Sequence, residues 1–406
     1  MSHIKQRLAL FKRRAFSWYI LASFFASLGA GLTYISMTWM VVSVDDSVFA
    51  VVKLMLGFWI PNIILGPFAG VIADRFSRRR VIMFSAVLRS IALVTFVFCC
   101  QSHFSLFSLY TISAITGILF TFHQPAAMAF MREIVPEKDL LNANAALDIV
   151  FEIGNVVGMG AAGLIIAWTS FATTIVINSI TFMLAALALS FVRKQDLCFM
   201  SVFVKRGFHV VRDLKEGFFY LCSHKNLIIV YTLQLLILVQ YMTLPALLAP
   251  FAERVLHANV GQFGEIEASL SFGVIFGGIV IPWLAERYGM MKMMVCLQAI
   301  LVSVYLIFSQ NVSIHASEVL YVFVGFGFAV WPLMVTRAQA LTALDFQGRV
   351  QGSFNTLSSI TVLTVYLLIG EGGRIISIKN LYFVMVLFCI IGLLLSLACR
   401  REIFDK

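Results

Sequence analysis

Two carboxyl groups lie four residues apart in a stretch of sequence that is otherwise apolar. Asp148 and Glu152 would share one face of a helix. A charge in an apolar environment is costly unless it is paired or neutralised by a proton. Glu152 is therefore our first choice for a proton-binding residue. Asp148 is the second, with a structural ion pair to a basic loop as its alternative, and His123 is the third, with a hydrogen-bonded structural histidine as its alternative.

Two basic residues also fall inside apolar runs. Arg89 could recognise an anionic group of a ligand or pair with Glu152. Lys53 could bind a ligand, or its long side chain could reach toward the polar surface. The full set of candidate ligand-binding residues, each with internal packing as its alternative, is Tyr34, Trp39, Lys53, Arg89, Gln124, Gln234, Gln240, Tyr241, Trp331 and Asn355.

The composition excludes a soluble enzyme. Of the 406 residues, 61% are hydrophobic and 12% are charged, and the mean hydropathy is +0.94. A membrane-spanning helix needs about 20 apolar residues. Twelve such runs are predicted, at 16–42, 48–72, 81–101, 105–129, 141–168, 172–192, 227–251, 265–285, 292–309, 318–336, 350–370 and 380–399. The predicted fold class is an all-α polytopic membrane protein.

Basic residues concentrate at the two termini, in the middle of the chain and in alternate loops. This asymmetry places both termini in the cytoplasm and explains the net charge of +10 without a nucleic-acid partner. The predicted organisation is an N-terminus over 1–15, a six-helix bundle over 16–192, a linker over 193–226, a second six-helix bundle over 227–399 and a C-terminus over 400–406. Within the linker, residues 199–221 predict an amphipathic helix that tethers the halves and lies on the inner leaflet.

The loop after the second predicted helix carries a compact motif. Residues 66–80 combine two glycines, which allow helices to approach closely, with an Asp-Arg pair and a run of arginines. A shift of about half the chain aligns Gly66 with Gly278 and the Asp-Arg pair with Glu286 and Arg287, which indicates an internal repeat. The residues assigned to this gating motif are Gly66, Gly70, Asp74, Arg75, Arg78, Arg79, Arg80, Glu286 and Arg287.

This motif resembles the signature of the major facilitator superfamily, G-x-x-x-D-R-x-G-R-R, with Ser77 in place of the second glycine. The resemblance implies two pseudo-symmetric six-helix bundles that alternate in access, with the basic loop latching the cytoplasmic side. Residues 124–136 and 141–145 resemble the macrolide-exporter and enterobactin-exporter branch. In that branch the fifth helix commonly carries G-P-x-x-G-G, an element linked to antiport. Here Met159 replaces its proline.

We therefore expect a secondary transporter of the inner membrane that exports an amphipathic small molecule, such as a drug-like compound or a siderophore. Coupling would be to protons or another ion. The chain has no G-x-x-x-x-G-K-[ST] loop, which argues against direct use of ATP. We expect a monomer with no enzymatic activity, cofactor or metal. The alternatives are an importer of a siderophore or metabolite, a lysophospholipid flippase, and a non-transporting receptor or assembly protein.

Overall fold

The computed structural model describes residues 10–100, 104–136, 139–193, 210–343 and 346–398. Within these ranges the chain forms fourteen α-helices and no strand. They are α1 (Arg14–Val44), α2 (Val48–Arg75), α3 (Arg78–Cys100), α4 (Leu106–Ile134), α5 (Leu140–Trp168), α6 (Phe171–Ser190), α7 (Val210–Ser223), α8 (Lys225–Arg254), α9 (Val260–Tyr288), α10 (Met290–Gln310), α11 (Ile314–Phe328), α12 (Val330–Leu341), α13 (Gln347–Gly372) and α14 (Ile378–Ala398).

The described helices supply twelve segments long and apolar enough to cross a membrane, which confirms the predicted number. Helices α11 and α12 together form one segment, Ile314–Val335, and α7 is not among the twelve. A serine immediately precedes and caps three of the helices, α4, α6 and α11. The hydroxyls of Ser105, Ser170 and Ser313 each accept a hydrogen bond from a backbone N–H three residues further on. The first backbone N–H groups of a helix have no carbonyl partner within the helix, and each serine hydroxyl supplies an acceptor for one of them.

Contacts divide the chain into two compact units that exchange short segments. Unit 1 contains residues up to Asp45, Lys53–Lys205 and Asn259–Ala268, and unit 2 contains Asp46–Val52, Arg206–Ala258 and the remainder from Ser269. The start of α2 therefore belongs to unit 2, and the start of α9 belongs to unit 1. In each case the exchanged segment follows the first helix of a sequence half.

In unit 1, α1 packs against α5 and α6, and α3 packs against α4 and α6. The contact between α1 and α5 requires glycine. A Cβ atom at Gly158 would collide with the backbone carbonyl of Leu28, so the two backbones meet directly there. Near the start of α1, the fully buried rings of Tyr19 and Phe130 pack edge to face, with centroids 5.4 Å apart.

In unit 2, α8 packs against α12, α13 and α14. The buried hydroxyls of Tyr321 and Tyr382 hydrogen-bond over 2.9 Å. The exchanged segment is held by Arg254, which donates to both carboxylate oxygens of Asp46, Nε to Oδ2 at 2.7 Å and Nη2 to Oδ1 at 2.5 Å. These hydrogen bonds favour the ionised carboxylate and lower the pKa of Asp46.

The amphipathic helix of the linker packs on unit 2. The described part is α7, and residues 199–209 of the predicted helix lie outside the described residues. Gly217 faces the backbone of Arg349 in α13, and Glu216 pairs with Arg349 over 2.9 Å. The ring of Tyr220 stacks on Phe346 at 4.4 Å. One face of α7 is therefore occupied by protein, whereas Phe218 and Phe219 on the same helix remain exposed.

Candidate functional site

The start of α9 lies against α5 at the small-residue run identified in the sequence. A Cβ atom at Gly163 would lie 2.8 Å from the carbonyl oxygen of Val260 and 2.9 Å from the Cα atom of Gly261. One turn later, a Cβ atom at Gly264 would lie 3.0 Å from the carbonyl oxygen of Met159. The run therefore brings α5 and α9 into backbone contact within unit 1.

A buried carboxyl group of α9 then meets a tyrosine of α1. The hydroxyl of Tyr34 donates a hydrogen bond to Oε1 of Glu267 over 2.6 Å. Glu267 is 4% exposed, and none of the ion pairs found among the described residues includes it. A neutral phenol is thus the observed polar partner of this acid. Hydrogen bonds to a carboxyl group are short and strong where water is excluded.

Two aromatic rings extend the contact by one helical turn. Trp39 of α1 stacks on Phe263 of α9, with centroids 5.5 Å apart and an interplanar angle of 29°. Phe263 and Glu267 are four residues apart and share a face of α9. Tyr34 and Trp39, both predicted as ligand-binding residues, therefore come together against α9. The result is a carboxyl group beside aromatic surface.

Glu267 was missed in the sequence because the predicted span began at residue 265, which placed this acid at the edge of the apolar run. The helix begins five residues earlier, at Val260, so Glu267 lies two turns inside it. The signal was present: an acidic side chain inside a candidate span is a functional candidate by default. Its depth depended on the position of the helix start, which hydropathy locates poorly.

The predicted proton-coupling residues lie elsewhere. Asp148 is exposed and Glu152 is half-buried on α5. Among the described residues neither forms an ion pair, so the expected pairing of Glu152 with Arg89 is absent. His123 lies in unit 1 with Nδ1 3.5 Å from the hydroxyl of Ser85.

The two basic candidates differ in burial. Lys53 is exposed. Arg89 is 7% exposed, and its guanidinium lies 5.4 Å from the ring centroid of Phe120 and 5.3 Å from that of Phe182. Its Nε and Nη2 atoms have no hydrogen-bond partner in the described part of the chain. Arg89 is thus the buried cation of this set.

The arginines of the gating motif bind within unit 1. Arg78 pairs with Glu133 of α4 over 2.9 Å. Arg79 donates to the carbonyl oxygens of Leu189 and Ser190 at 2.9 and 2.7 Å, where the last carbonyls of α6 favour a cation. Arg80 is exposed. Two arginines thus fix the beginning of α3 to its neighbours.

Other parts of the motif differ from expectation or lie outside the description. A Cβ atom at Gly66 would meet nothing within 4 Å, so the predicted close helix approach at this glycine is wrong for the described residues. The side chains of Asp74 and Arg75 and the surroundings of Gly70 lie outside the described residues. In the second copy, Glu286 and Arg287 are exposed. The guanidinium of Arg287 lies over the rings of Trp283 and Tyr288 at 5.7 and 5.5 Å.

The remaining ligand-binding candidates, apart from Gln124, belong to unit 2. Gln240 is buried and accepts a hydrogen bond from the thiol of Cys389 over 2.9 Å, and Gln234 is also buried. Tyr241 is 40% exposed. Trp331 is half-buried, whereas Gln124 and Asn355 are exposed.

A family model and several known proteins are similar to this chain. The family model described as Major Facilitator Superfamily matches residues 19–365. A Bacillus amyloliquefaciens protein named as a bacilysin exporter, BacE, is 23% identical over 356 residues, which is 84% of this chain and 83% of BacE. The multidrug efflux pump Tap of Mycolicibacterium fortuitum is 26% identical over 45% of this chain and 46% of Tap.

A further relative and a solved structure extend these matches. YfiS of Bacillus subtilis strain 168, named an uncharacterized MFS-type transporter, is 26% identical over 164 residues. That match covers 40% of this chain and 38% of YfiS, so the chain spans about two fifths of the length of this relative. The crystal structure of the nucleoside transporter NupG covers 95% of this chain and 98% of its own, with a TM-score of 0.71 and 12% identity. At that identity, the likeness to NupG shows the fold alone.

Proposed function

The chain belongs to the Major Facilitator Superfamily, and we propose that it is a secondary transporter that exports a small organic molecule across the cytoplasmic membrane, coupled to protons. Relatives named as a bacilysin exporter and a multidrug efflux pump support export over import. The distribution of basic residues supports a topology with both termini in the cytoplasm. In this proposal the transporter functions as a monomer.

The observation that carries the proposal is the hydrogen bond between Tyr34 and Glu267. Helix α1 belongs to the first half of the sequence and α9 to the second, and alternating access requires the halves to move against each other. In this proposal the movement draws the start of α9 out of its contact with α1, which separates the carboxyl group from its phenol and changes its contact with water. Proton binding at Glu267 and the conformational change are then linked through one contact.

The surroundings of this carboxyl group favour an amphipathic substrate. The half-buried indole of Trp39, which stacks on the fully buried ring of Phe263, lies one turn from Glu267. A cationic or hydrogen-bonding group of the substrate would compete with the proton for the carboxylate, while its apolar part packs on the indole of Trp39. Competition for one carboxylate is sufficient to exchange a proton for a substrate.

The residues chosen from sequence take subordinate places in this proposal. Glu152, Asp148 and His123 are second candidates for the proton, because among the described residues none of them forms a hydrogen bond or ion pair with the second half of the sequence. Arg78 and Arg79 support the proposed cytoplasmic latch. They hold the start of α3 on α4 and α6. The backbone that carries the neighbouring basic residues is therefore held in position.

The test is transport in proteoliposomes with an imposed pH gradient, measuring substrate flux and internal pH together. Bacilysin, a macrolide and an amphipathic dye are suitable probes. We expect flux of at least one probe to be accompanied by proton movement in the opposite direction. In Glu267→Gln we expect that proton movement to fall by at least tenfold. Glu152→Gln is the matched control, since it removes a carboxyl group from α5 without touching Tyr34.

The outcomes separate the parts of the proposal. If Glu152→Gln rather than Glu267→Gln abolishes proton movement, the coupling residue lies on α5 and the assignment of Glu267 is overturned. If collapsing the pH gradient leaves the flux unchanged, proton coupling is wrong. Accumulation of the probes in intact cells that make the protein would overturn export.

A further inference from the structure

A second polar site lies inside unit 1, away from Glu267. It is a cavity of about 20 Å³ between α1, α3, α4 and α6. The side chains that line it are mostly small or apolar, and Arg89 and His123 are its titratable members besides Tyr19. None of the described residues that line this cavity is Asp or Glu. A cation therefore faces a space whose described lining holds no carboxylate.

The other polar groups of the lining have partners of their own. The hydroxyl of Tyr19 donates to the carbonyl oxygen of Ala127 over 3.0 Å, and that of Ser23 donates to the carbonyl oxygen of Tyr19 over 2.9 Å. Arg89 differs, because its Nε and Nη2 atoms have no partner in the described chain. Two strong donors on a side chain that is only 7% exposed thus have no protein partner among the described residues.

Aromatic rings hold the guanidinium in place without using these donors. Phe120 and Phe182 lie 5.4 and 5.3 Å from its central carbon, a distance at which a ring attracts a cation. A ring face does not replace a hydrogen-bond acceptor, and it supplies no net negative charge. A buried charge requires a partner that provides both. The chemistry that meets both requirements is a small anion.

The size of the cavity restricts that anion. Sites for drug-sized ligands have about 300–1,000 Å³, whereas this space of about 20 Å³ holds about one water-sized particle. A water molecule would accept a hydrogen bond but would leave the charge of Arg89 uncompensated. We propose that the cavity beside Arg89 and His123 binds one small inorganic monovalent anion of the size of chloride, which serves as the counter-ion of Arg89. This site does not depend on the proposed export function.

The first test measures the melting temperature of the purified full chain in detergent at constant ionic strength. Sodium gluconate, whose anion is too large for the cavity, is replaced stepwise by sodium chloride or sodium bromide. We expect a saturable rise of about 2–4 °C with both halides. Equal melting temperatures in gluconate and chloride would overturn the proposal. A rise with formate and not with the halides would overturn the inorganic identity in favour of a carboxylate.

Variants assign the response to this cavity. Arg89→Gln removes the cation, and Ala185→Leu fills the space while keeping Arg89. Both should lose the halide response, whereas Arg132→Gln, an exposed arginine of α4, should keep it. A response retained in both cavity variants would overturn the site. If these variants do not fold, equilibrium binding of radioactive chloride to the unaltered chain decides. One displaceable ion per chain supports the proposal, and none overturns it.

Discussion

The two exchanged segments occupy corresponding places in the two sequence halves, but different chemistry holds them. The start of α9 meets α5 in unit 1 through glycine backbones, and it meets α1 through the buried pair of Tyr34 and Glu267. The start of α2 is held in unit 2 by the exposed pair of Asp46 and Arg254. There, Arg374 also lies 4.0 Å from the ring centroid of Phe49.

The two contacts differ in how far their atoms can move to accommodate a substitution. Backbone atoms packed against backbone atoms have no side chain that can rotate away, and a buried hydrogen bond is shielded from salt. Exposed ion pairs are solvated and screened, and contribute about 0–1 kcal/mol. The α9 segment should therefore tolerate substitution less well than the α2 segment. It also carries the carboxyl group proposed for coupling. Four predictions test this contrast.

The largest effect is expected from adding one methyl group to each contact. In Gly163→Ala the Cβ atom would lie 2.8 Å from the carbonyl oxygen of Val260, which the backbone fixes. In Gly370→Ala it would lie 2.8 Å from Cδ2 of Phe49, a side-chain atom that can move. We expect Gly163→Ala to lower the free energy of unfolding by about 2–3 kcal/mol and Gly370→Ala by about 0.5 kcal/mol. Denaturation in detergent measures both, and equal losses would contradict the contrast.

A smaller effect is expected from removing one hydroxyl group. Tyr34→Phe leaves the buried carboxyl group of Glu267 without its phenol donor and should lower the free energy of unfolding by about 1–2 kcal/mol. Tyr110→Phe is the matched control, because the buried hydroxyl of Tyr110 has no partner among the described residues. The control should be neutral or slightly stabilising. Thermal unfolding of both variants checks this, and a greater loss in Tyr110→Phe would argue against the role of the Tyr34 contact.

The exposed pair should contribute less. Arg254→Gln removes both hydrogen bonds to Asp46 and should lower the free energy of unfolding by about 0.5 kcal/mol at low salt. Because the pair is exposed, about 1 M salt should remove most of this difference. The loss in Tyr34→Phe should persist in the same salt. Parallel unfolding curves at two salt concentrations test the distinction, which fails if both variants respond alike.

The smallest effect is a pH dependence of the same pair. Arg254 lowers the pKa of Asp46 below its ordinary value of 3.8. The stabilisation that ionised Asp46 gives the folded state is therefore fully present above pH 3.8. It is lost as the pH falls through the lowered pKa of Asp46 in the folded state. Asp46→Asn should remove this acid-labile part, again roughly 0.5 kcal/mol for an exposed pair. Melting temperatures measured while acidifying both proteins should converge. A gap that widens at acid pH would contradict the assignment.

The sequence predicted the fold better than the site. Long apolar runs identify membrane helices because each must cover the thickness of the bilayer by itself. The motif at residues 66–80 identified the family, which the family model confirms. The role of Glu267 required the true start of α9. The choice between ion pairing and a ligand for Arg89 required knowing which side chains of four helices surround it.

The sequence alone therefore determined the class of protein, the twelve spans and the family, since hydropathy, charge distribution and a local motif are properties of neighbouring residues. Tertiary structure decided which polar residues meet. It brought Tyr34 to Glu267, which are 233 positions apart. Within the described residues it formed no ion pair between Arg89 and Glu152, although sequence favoured their pairing. Contacts of this kind depend on which helix faces pack together. In this chain glycine backbones such as those of Gly158 and Gly163 set that packing at ångström precision.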